Sequence, residues 1–204
     1  MGETVAATKR DTRRRIIGLT GGIATGKSTV SDYLSRQYKL PILDADDYSR
    51  QAVAKGGKIL NVIARRYGPT ILLPNQTLNR SALGEIIFNN PHEKDWVEQQ
   101  IHPFVRAQFK QVTESYSSDQ ILVYSIPLLF EANLTHLVTE IWVVFCSPQQ
   151  QQQRLMERNQ LSKQQAQSRI ASQMDLLEKC QRADYLLDNS STRQRLYEQI
   201  DRLL

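Results

Sequence analysis

Cysteine is scarce: Cys146 and Cys180 are the two present in 204 residues. Two thiols without metal-type spacing exclude a disulfide scaffold and a zinc module, and point to reduced thiols in the cytoplasm. Long apolar runs are absent too. Nothing approaches the ~20 consecutive apolar residues that a membrane helix needs. The N-terminal stretch has no apolar core of the kind a secretory signal carries. Neither a membrane partner nor secretion is expected. Charge of one sign is not in large excess. The net charge is +5, with 23% charged and 40% hydrophobic residues, the balance of an ordinary soluble globular protein. Much of the excess lies at the start, where Lys9, Arg10, Arg13, Arg14 and Arg15 face Glu3 and Asp11. Residues 1–14 read as a disordered, solubilising basic extension. A basic arm for nucleic acid is the alternative, but no nucleic acid partner is expected.

Glycine is also sparse, nine residues in all, yet Gly21, Gly22 and Gly26 fall in one short stretch. Gly21 to Ser28 fits G-x-x-x-x-G-K-[ST], with Thr29 following. The apolar run Ile16-Ile17-Gly18-Leu19 leads in, and a helical pattern from Lys27 leads out. Strand, glycine loop and helix together make a phosphate-binding loop. The glycines let successive backbone N–H groups turn inward to phosphate oxygens, and the helix adds the positive end of its dipole. Lys27 would reach the β- and γ-phosphates, and the Ser28 hydroxyl would ligate Mg²⁺. A glycine-rich turn that merely joins strand to helix is the competing reading. ATP and Mg²⁺ are the expected ligands. No Asn-Lys-x-Asp motif follows, which argues against a guanine nucleotide.

The rest of the chain alternates. Residues 15–20 read as a first strand and 27–38 as a helix. Pro41-Ile42-Leu43 reads as a second strand, ending on Asp44-Ala45-Asp46-Asp47. From there to about residue 115 the pattern is helical. One helix would begin at Asn79-Arg80, with Leu83, Ile86, Ile87 and Phe88 as its apolar face. A second would begin at Asn90-Pro91 and pass Trp96, Ile101 and Phe104 with a disturbance at Pro103. Ile121–Ile126 and Ile141–Cys146 read as the third and fourth strands. Ser147-Pro148 opens a long helix that contains the glutamine run Gln149–Gln153. Another polar helix begins near Ser162. Tyr185-Leu186-Leu187 is the fifth strand, and Thr192 would cap a last helix that turns Leu196, Ile200 and Leu203 inward. Strands alternating with helices predict a parallel sheet covered on both faces. The expected fold is α/β: a P-loop NTPase fold with a five-stranded parallel sheet, a helical substrate-binding insertion and a helical lid. The kinase domain would span 15–204. Its core would be 15–46, 116–150 and 180–204, its substrate lobe 47–115 and its lid 151–179.

In open α/β sheets, ligands lie beyond the carboxyl ends of the strands. The second strand delivers Asp44 and Asp46 there. Alternation along an extended segment would put both carboxylates on one side, with Ala45 turned away. One would accept a proton from an attacking hydroxyl and the other would hold Mg²⁺. A helix cap is the alternative role, and it is preferred for Asp47. Arg50, one helical turn beyond Asp46, would bind substrate phosphate or pair with Asp46 or Asp47. The third strand ends Tyr124-Ser125-Ile126-Pro127 and lacks the Mg²⁺-holding Asp common in P-loop proteins, with Glu131 the nearest acid. Metal and base work therefore fall to the second strand. Arg154, Arg158 and Arg169 in the lid are placed to close over a transferring phosphoryl group. A solvated helix face is the competing role for each. His102 would contact substrate or cap a kink at Pro103.

These residues resemble the dephospho-CoA kinases over nearly the whole chain, from Ile16 onward. The likeness rests on Leu19-Thr20-Gly21-Gly22-Ile23 with Gly26-Lys27-Ser28-Thr29, and on Asp44-Ala45-Asp46 with Arg50. It extends through Leu78-Asn79-Arg80, Leu83, Ile87-Phe88, Asn90-Pro91, His102-Pro103 and Ile126-Pro127-Leu128-Leu129-Phe130-Glu131. It ends with Ser147-Pro148, Arg154, Arg158, Arg169, Gln173, Ala183-Asp184 and Asn189. The resemblance implies ATP-dependent phosphorylation of the ribose 3′-hydroxyl of dephospho-CoA, the last step of coenzyme A synthesis. It implies Asp46, Lys27 and Arg154 as catalytic residues, and Gly22, Ala24, Thr25, Gly26, Lys27, Ser28, Thr29 and Asn189 as the nucleotide site, Asn189 at the adenine. It implies Asp46, Arg50, His102 and Arg158 against the substrate, and Ser28 and Asp44 at the metal. Two departures stand out. Ala24 replaces a frequent glycine and is expected to be tolerated at negative φ, and Ser190-Ser191 replace a glycine common after Asn189. A monomer or weak homo-oligomer is expected. Another small-molecule or nucleoside monophosphate kinase, or an ATP-binding switch module, are the competing functions.

Overall fold

The computed structural model describes residues 14–204; the expected basic extension lies outside them up to residue 13. Arg14 is described, and its Nη2 donates to the Tyr116 carbonyl (2.6 Å). In chain order the elements are β1 (Ile16–Gly21), α1 (Lys27–Tyr38), β2 (Ile42–Asp44), α2 (Ala45–Ala52), α3 (Lys58–Tyr67), α4 (Arg80–Asn89) and α5 (Pro91–Glu114). There follow β3 (Leu122–Ser125), β4 (Glu140–Phe145), α6 (Pro148–Asn159), α7 (Lys163–Ala171), α8 (Leu176–Gln181), β5 (Tyr185–Asp188) and α9 (Arg193–Asp201).

The strands form one sheet in the order β2-β3-β1-β4-β5. The pairs β1–β3, β1–β4 and β4–β5 are parallel, with Leu19 level with Ser125 on one side and Trp142 on the other. This is the expected five-stranded sheet of the P-loop NTPase fold. β1 is central and nearly continuously buried, as strands covered on both faces must be. Its neighbours β3 and β4 come from later in the chain. The switch in strand order therefore falls at the carboxyl end of β1, where such sheets bind ligands.

The chain divides into two compact units. One comprises the residues up to 43 together with 116–204; the other comprises 44–115. In the first, Ile17, Leu19, Val123, Trp142, Val144 and Leu187 of the sheet meet Val30 and Leu34 of α1 and Leu196 and Ile200 of α9. Each fully buried aliphatic side chain contributes about 1.5–3 kcal/mol. Tyr33 and Tyr197 stack at 3.8 Å, and Asp201 accepts from both Tyr33 and Tyr38, joining α9 to α1. In the second unit, Leu60 and Ile63 of α3 pack with Ile71, Leu78, Leu83 and Val97. Asn79 and Asn90 cap α4 and α5, and Pro91 occupies the first turn of α5.

Four local expectations are corrected. β2 ends at Asp44 and α2 starts at Ala45, so Asp44 and Asp46 are not on one side of an extended strand. Asp44, not Asp47, is the cap: its Oδ1 accepts from Asp46 N (2.9 Å) and Asp47 N (3.3 Å). Phe88 is 72% exposed rather than part of the apolar face of α4. α5 runs unbroken through Pro103 for 24 residues, because packing along its length outweighs one lost helical hydrogen bond. The short helix α8, capped by Asp175, lies in a polar stretch with too little periodicity to reveal it.

Candidate active site

The glycine loop hangs between the end of β1 and the start of α1. Gly26 is the residue before the helix, at φ 102°, a left-handed conformation that favours glycine. A Cβ there would collide with the Asn189 amide. A Cβ on Gly22 would lie 2.5 Å from Gln151 Nε2. The loop turns at Ala24, whose φ is 61°. The expected condition for tolerating alanine, a negative φ, is not met: the chain accepts a left-handed alanine, at a cost of roughly 1–2 kcal/mol. Ser190 and Ser191 are not among the residues of positive φ, so the missing glycine there costs nothing.

Side chains from three elements grip this loop. Asn189, 8% exposed, donates through Nδ2 to the Thr25 carbonyl (2.8 Å). Its own carbonyl accepts from Arg154 Nη2 (3.0 Å), and its backbone N–H donates to Phe145 O (2.8 Å). Gln151 of α6 donates to Ile23 O (2.9 Å), and Gln173 accepts from Ile23 N–H (2.8 Å). Thr25 closes the turn on itself, its N–H and its hydroxyl both donating to Gly22 O. Lys27 Nζ donates to Ser125 Oγ at the end of β3. That strand end is where other P-loop proteins carry a metal-holding Asp; here a buried serine steadies the loop lysine.

Behind the loop lies a buried ion pair. Lys179 of α8 is 0% exposed and meets Glu131 Oε1 at 2.7 Å. It also donates to Pro127 O (3.2 Å), a carbonyl that accepts from Thr20 Oγ1 of β1 as well (3.1 Å). Glu131 Oε1 further accepts from Met174 N–H (3.1 Å). Breaking such a pair from one side typically costs about 3–5 kcal/mol, because a buried charge is left uncompensated.

Arg154 thus faces the loop, joined to Asn189. Arg158, one turn further along α6, is exposed and donates to Asn159 Oδ1 (2.8 Å). Arg169 is exposed in the last turn of α7. Ser28 is exposed at the start of α1 and Thr29 is half-buried. The cavity of about 520 Å³ beside the loop is lined by Gly22, Gln151, Ile170, Gln173, Met174 and Cys180 among others. Burial pushes the thiols of Cys146 and Cys180 up, which keeps them protonated and unreactive. Both are free cysteines.

The second unit holds the remaining expected residues. Asp46 is exposed in the first turn of α2, and Arg50 on the same helix pairs with Asp47 at 2.7 Å. The pairing with Asp47 is one of the two roles foreseen for Arg50. His102 is half-buried midway along α5.

A strand, a glycine loop that turns at Gly26 and a lysine at the helix start are the parts of a phosphate-binding loop. A family model for dephospho-CoA kinase (CoaE) matches residues 15–194. The chain belongs to the dephospho-CoA kinase family. A dephospho-CoA kinase from Synechocystis sp. is 60% identical over 178 residues, covering 87% of this chain and 89% of that protein. Among solved structures, TT1252 from Thermus thermophilus matches with a TM-score of 0.82 at 28% identity, over 94% of this chain and 96% of that one. A dephospho-CoA kinase from Campylobacter jejuni matches with a TM-score of 0.67 at 27% identity, over 92% and 96%.

Sequence reasoning finds the loop of this dephospho-CoA kinase family member but not its supports. Gln151 lies inside a glutamine run that reads as low complexity. Gln173 belongs to the family likeness, yet nothing local gives it a role. Lys179 sits in a polar stretch that carries no sign of burial. Among the described residues no helix is long and apolar enough to cross a membrane.

Proposed function

We infer that the chain transfers the γ-phosphoryl group of ATP to the ribose 3′-hydroxyl of dephospho-CoA, giving coenzyme A and ADP. The observation that carries this reading is the family match across residues 15–194. The loop suits a triphosphate, because its helix start and its glycine at φ 102° present N–H groups rather than side chains. Gly22, Ala24, Thr25, Gly26, Lys27, Ser28 and Thr29 are assigned to the phosphates and Asn189 to the adenine side. Mg²⁺ keeps several waters and needs one or two protein oxygens beside the phosphates. Ser28 and Asp44, each an oxygen donor, are assigned to that role. Bound there, Mg²⁺ offsets charge on the β- and γ-oxygens.

Asp46 is assigned as the base. Its carboxylate takes the hydroxyl proton as the new O–P bond forms and the bond from Pγ to the β–γ bridging oxygen breaks, with ADP leaving. Lys27 and Arg154 stabilise charge on the transferring group. Arg50, His102 and Arg158 are assigned to dephospho-CoA. The protein works in the cytoplasm as a monomer or weak homo-oligomer.

An acceptor panel tests the reading. ATP consumption is measured with dephospho-CoA, nucleoside monophosphates, shikimate and gluconate, and the product is placed by ³¹P NMR. Turnover confined to dephospho-CoA, with the phosphate at the 3′ position, is expected. Turnover of another acceptor with dephospho-CoA inert would overturn it.

A further inference from the structure

The backbone of Ile23 is held on both sides by side chains from outside the loop, one on each of the two peptide planes that flank its Cα. Gln151 Nε2 donates to its carbonyl (2.9 Å) and Gln173 Oε1 accepts its N–H (2.8 Å). The next residue is Ala24 at φ 61°, so the two glutamines bracket the strained turn of the loop. They also sort its N–H groups. The Ile23 N–H goes to Gln173 and the Thr25 N–H to Gly22 O, so two amides of the loop already have protein partners.

Gln173 is itself anchored. It lies between α7 and α8, next to Met174, whose N–H donates to Glu131. Glu131 pairs with the buried Lys179, and Lys179 donates to Pro127 O, which Thr20 shares. The hydrogen bonds form a closed path from the end of β1, through the root of the lid, back to Ile23. An ion pair at its centre makes that path stiff.

We propose that Gln151 and Gln173 are positioning residues that hold the Ile23–Ala24 turn in its nucleotide-binding shape before ATP arrives, with the Glu131–Lys179 pair as the footing of Gln173. A loop shaped in advance loses less freedom on binding, so affinity gains. The proposal rests on the ATP reading above and concerns the donor site alone.

Gln173→Met and Gln151→Leu each remove one grip at nearly constant volume. The non-hydrolysable analogue AMP-PNP is titrated calorimetrically into the full-length parent and each variant, and KM is measured for both substrates. One net hydrogen bond predicts AMP-PNP affinity weakened about five- to tenfold. The KM for dephospho-CoA and the melting temperature stay near the parent values. The Ile23 amide, followed by NMR hydrogen exchange in the ligand-free protein, loses protection in Gln173→Met. The double variant loses less than the two single effects combined, since both grips act on the backbone of one residue. Unchanged AMP-PNP affinity in either folded variant overturns the proposal. So does a parallel rise of both KM values with a fall in melting temperature, which marks a general structural role. If neither variant folds, the glutamines are stability residues and the proposal fails. Parent protein that binds AMP-PNP but does not turn over dephospho-CoA faults the acceptor reading and leaves the clamp test intact.

Discussion

Ala24 shows how one residue carries a cost set by its surroundings. Its φ of 61° costs roughly 1–2 kcal/mol in a residue with a Cβ. Glycine removes that strain but adds about 0.4–1 kcal/mol of unfolded-chain entropy. Ala24→Gly should therefore stabilise the protein by about 0.5–1 kcal/mol, read from urea unfolding; no gain would mean that the neighbours already relieve the strain. Asp46 is the proposed base. Asp46→Asn keeps the shape and removes the proton acceptor, so turnover should fall by about 10²–10⁴ while AMP-PNP affinity holds. Turnover within a few-fold of the parent would show that another group is the base. At this scale the motif residues are legible and their supports are not. Lys27 announces itself by spacing, whereas Ser125, Gln151 and Gln173 acquire meaning from what they touch.

Elements were easier to foresee where local signals agree. Ser147-Pro148, Asn79, Asn90, Ser162 and Thr192 all cap the helices that they precede, because a side-chain oxygen before a helix satisfies an orphan N–H wherever it occurs. The same rule explains the mistake at β2. Asp44 caps α2, so helix begins at Ala45, before the extended chain reaches Asp46. α5 is the opposite case, since Pro103 lies in its interior. The ring removes the donor to the Gln99 carbonyl and crowds the preceding turn, a conflict worth up to about 3 kcal/mol. Pro103→Ala should raise stability by about 1–3 kcal/mol, measured by chemical denaturation. An unchanged midpoint would show that the helix has already bent to accommodate the ring.

At the scale of the molecule, each unit has its own core, and the second also carries a partly exposed charged cluster. Glu93 accepts two hydrogen bonds from Arg66 (2.7 and 2.8 Å) and one from Tyr67 (2.5 Å). Arg66 lies 4.3 Å from the centre of the Trp96 ring. These bonds, Arg66 first, hold the Glu93 carboxyl down to about 2 from 4.5. Burial and then Glu93 push the Tyr67 phenol up to about 12. A lowered carboxyl stabilises the fold above its unfolded value, and that support drains away as pH falls from about 4.5 towards 2. A raised phenol supports the fold below its ordinary value of 10, and that support is lost as pH rises from there towards about 12. In Glu93→Gln, stability should be lower near neutral pH and fall less between pH 5 and about pH 3, measured by urea midpoints. Parallel pH profiles for parent and variant would remove Glu93 from the account.

The sequence by itself determined what is local and periodic. Glycine spacing, helix caps and alternating apolar runs specify the loop, most of the helices and the parallel sheet, because backbone sterics and burial act over a few neighbouring residues. The tertiary structure alone decided which polar residues are buried and what they hold. Gln151, Gln173, Asn189, Glu131 and Lys179 come from 35 to 164 residues apart in their bonded pairs. No local pattern records such pairings. A buried amide or ammonium group is tolerated where a distant partner satisfies it, and that partner exists only once the chain has folded.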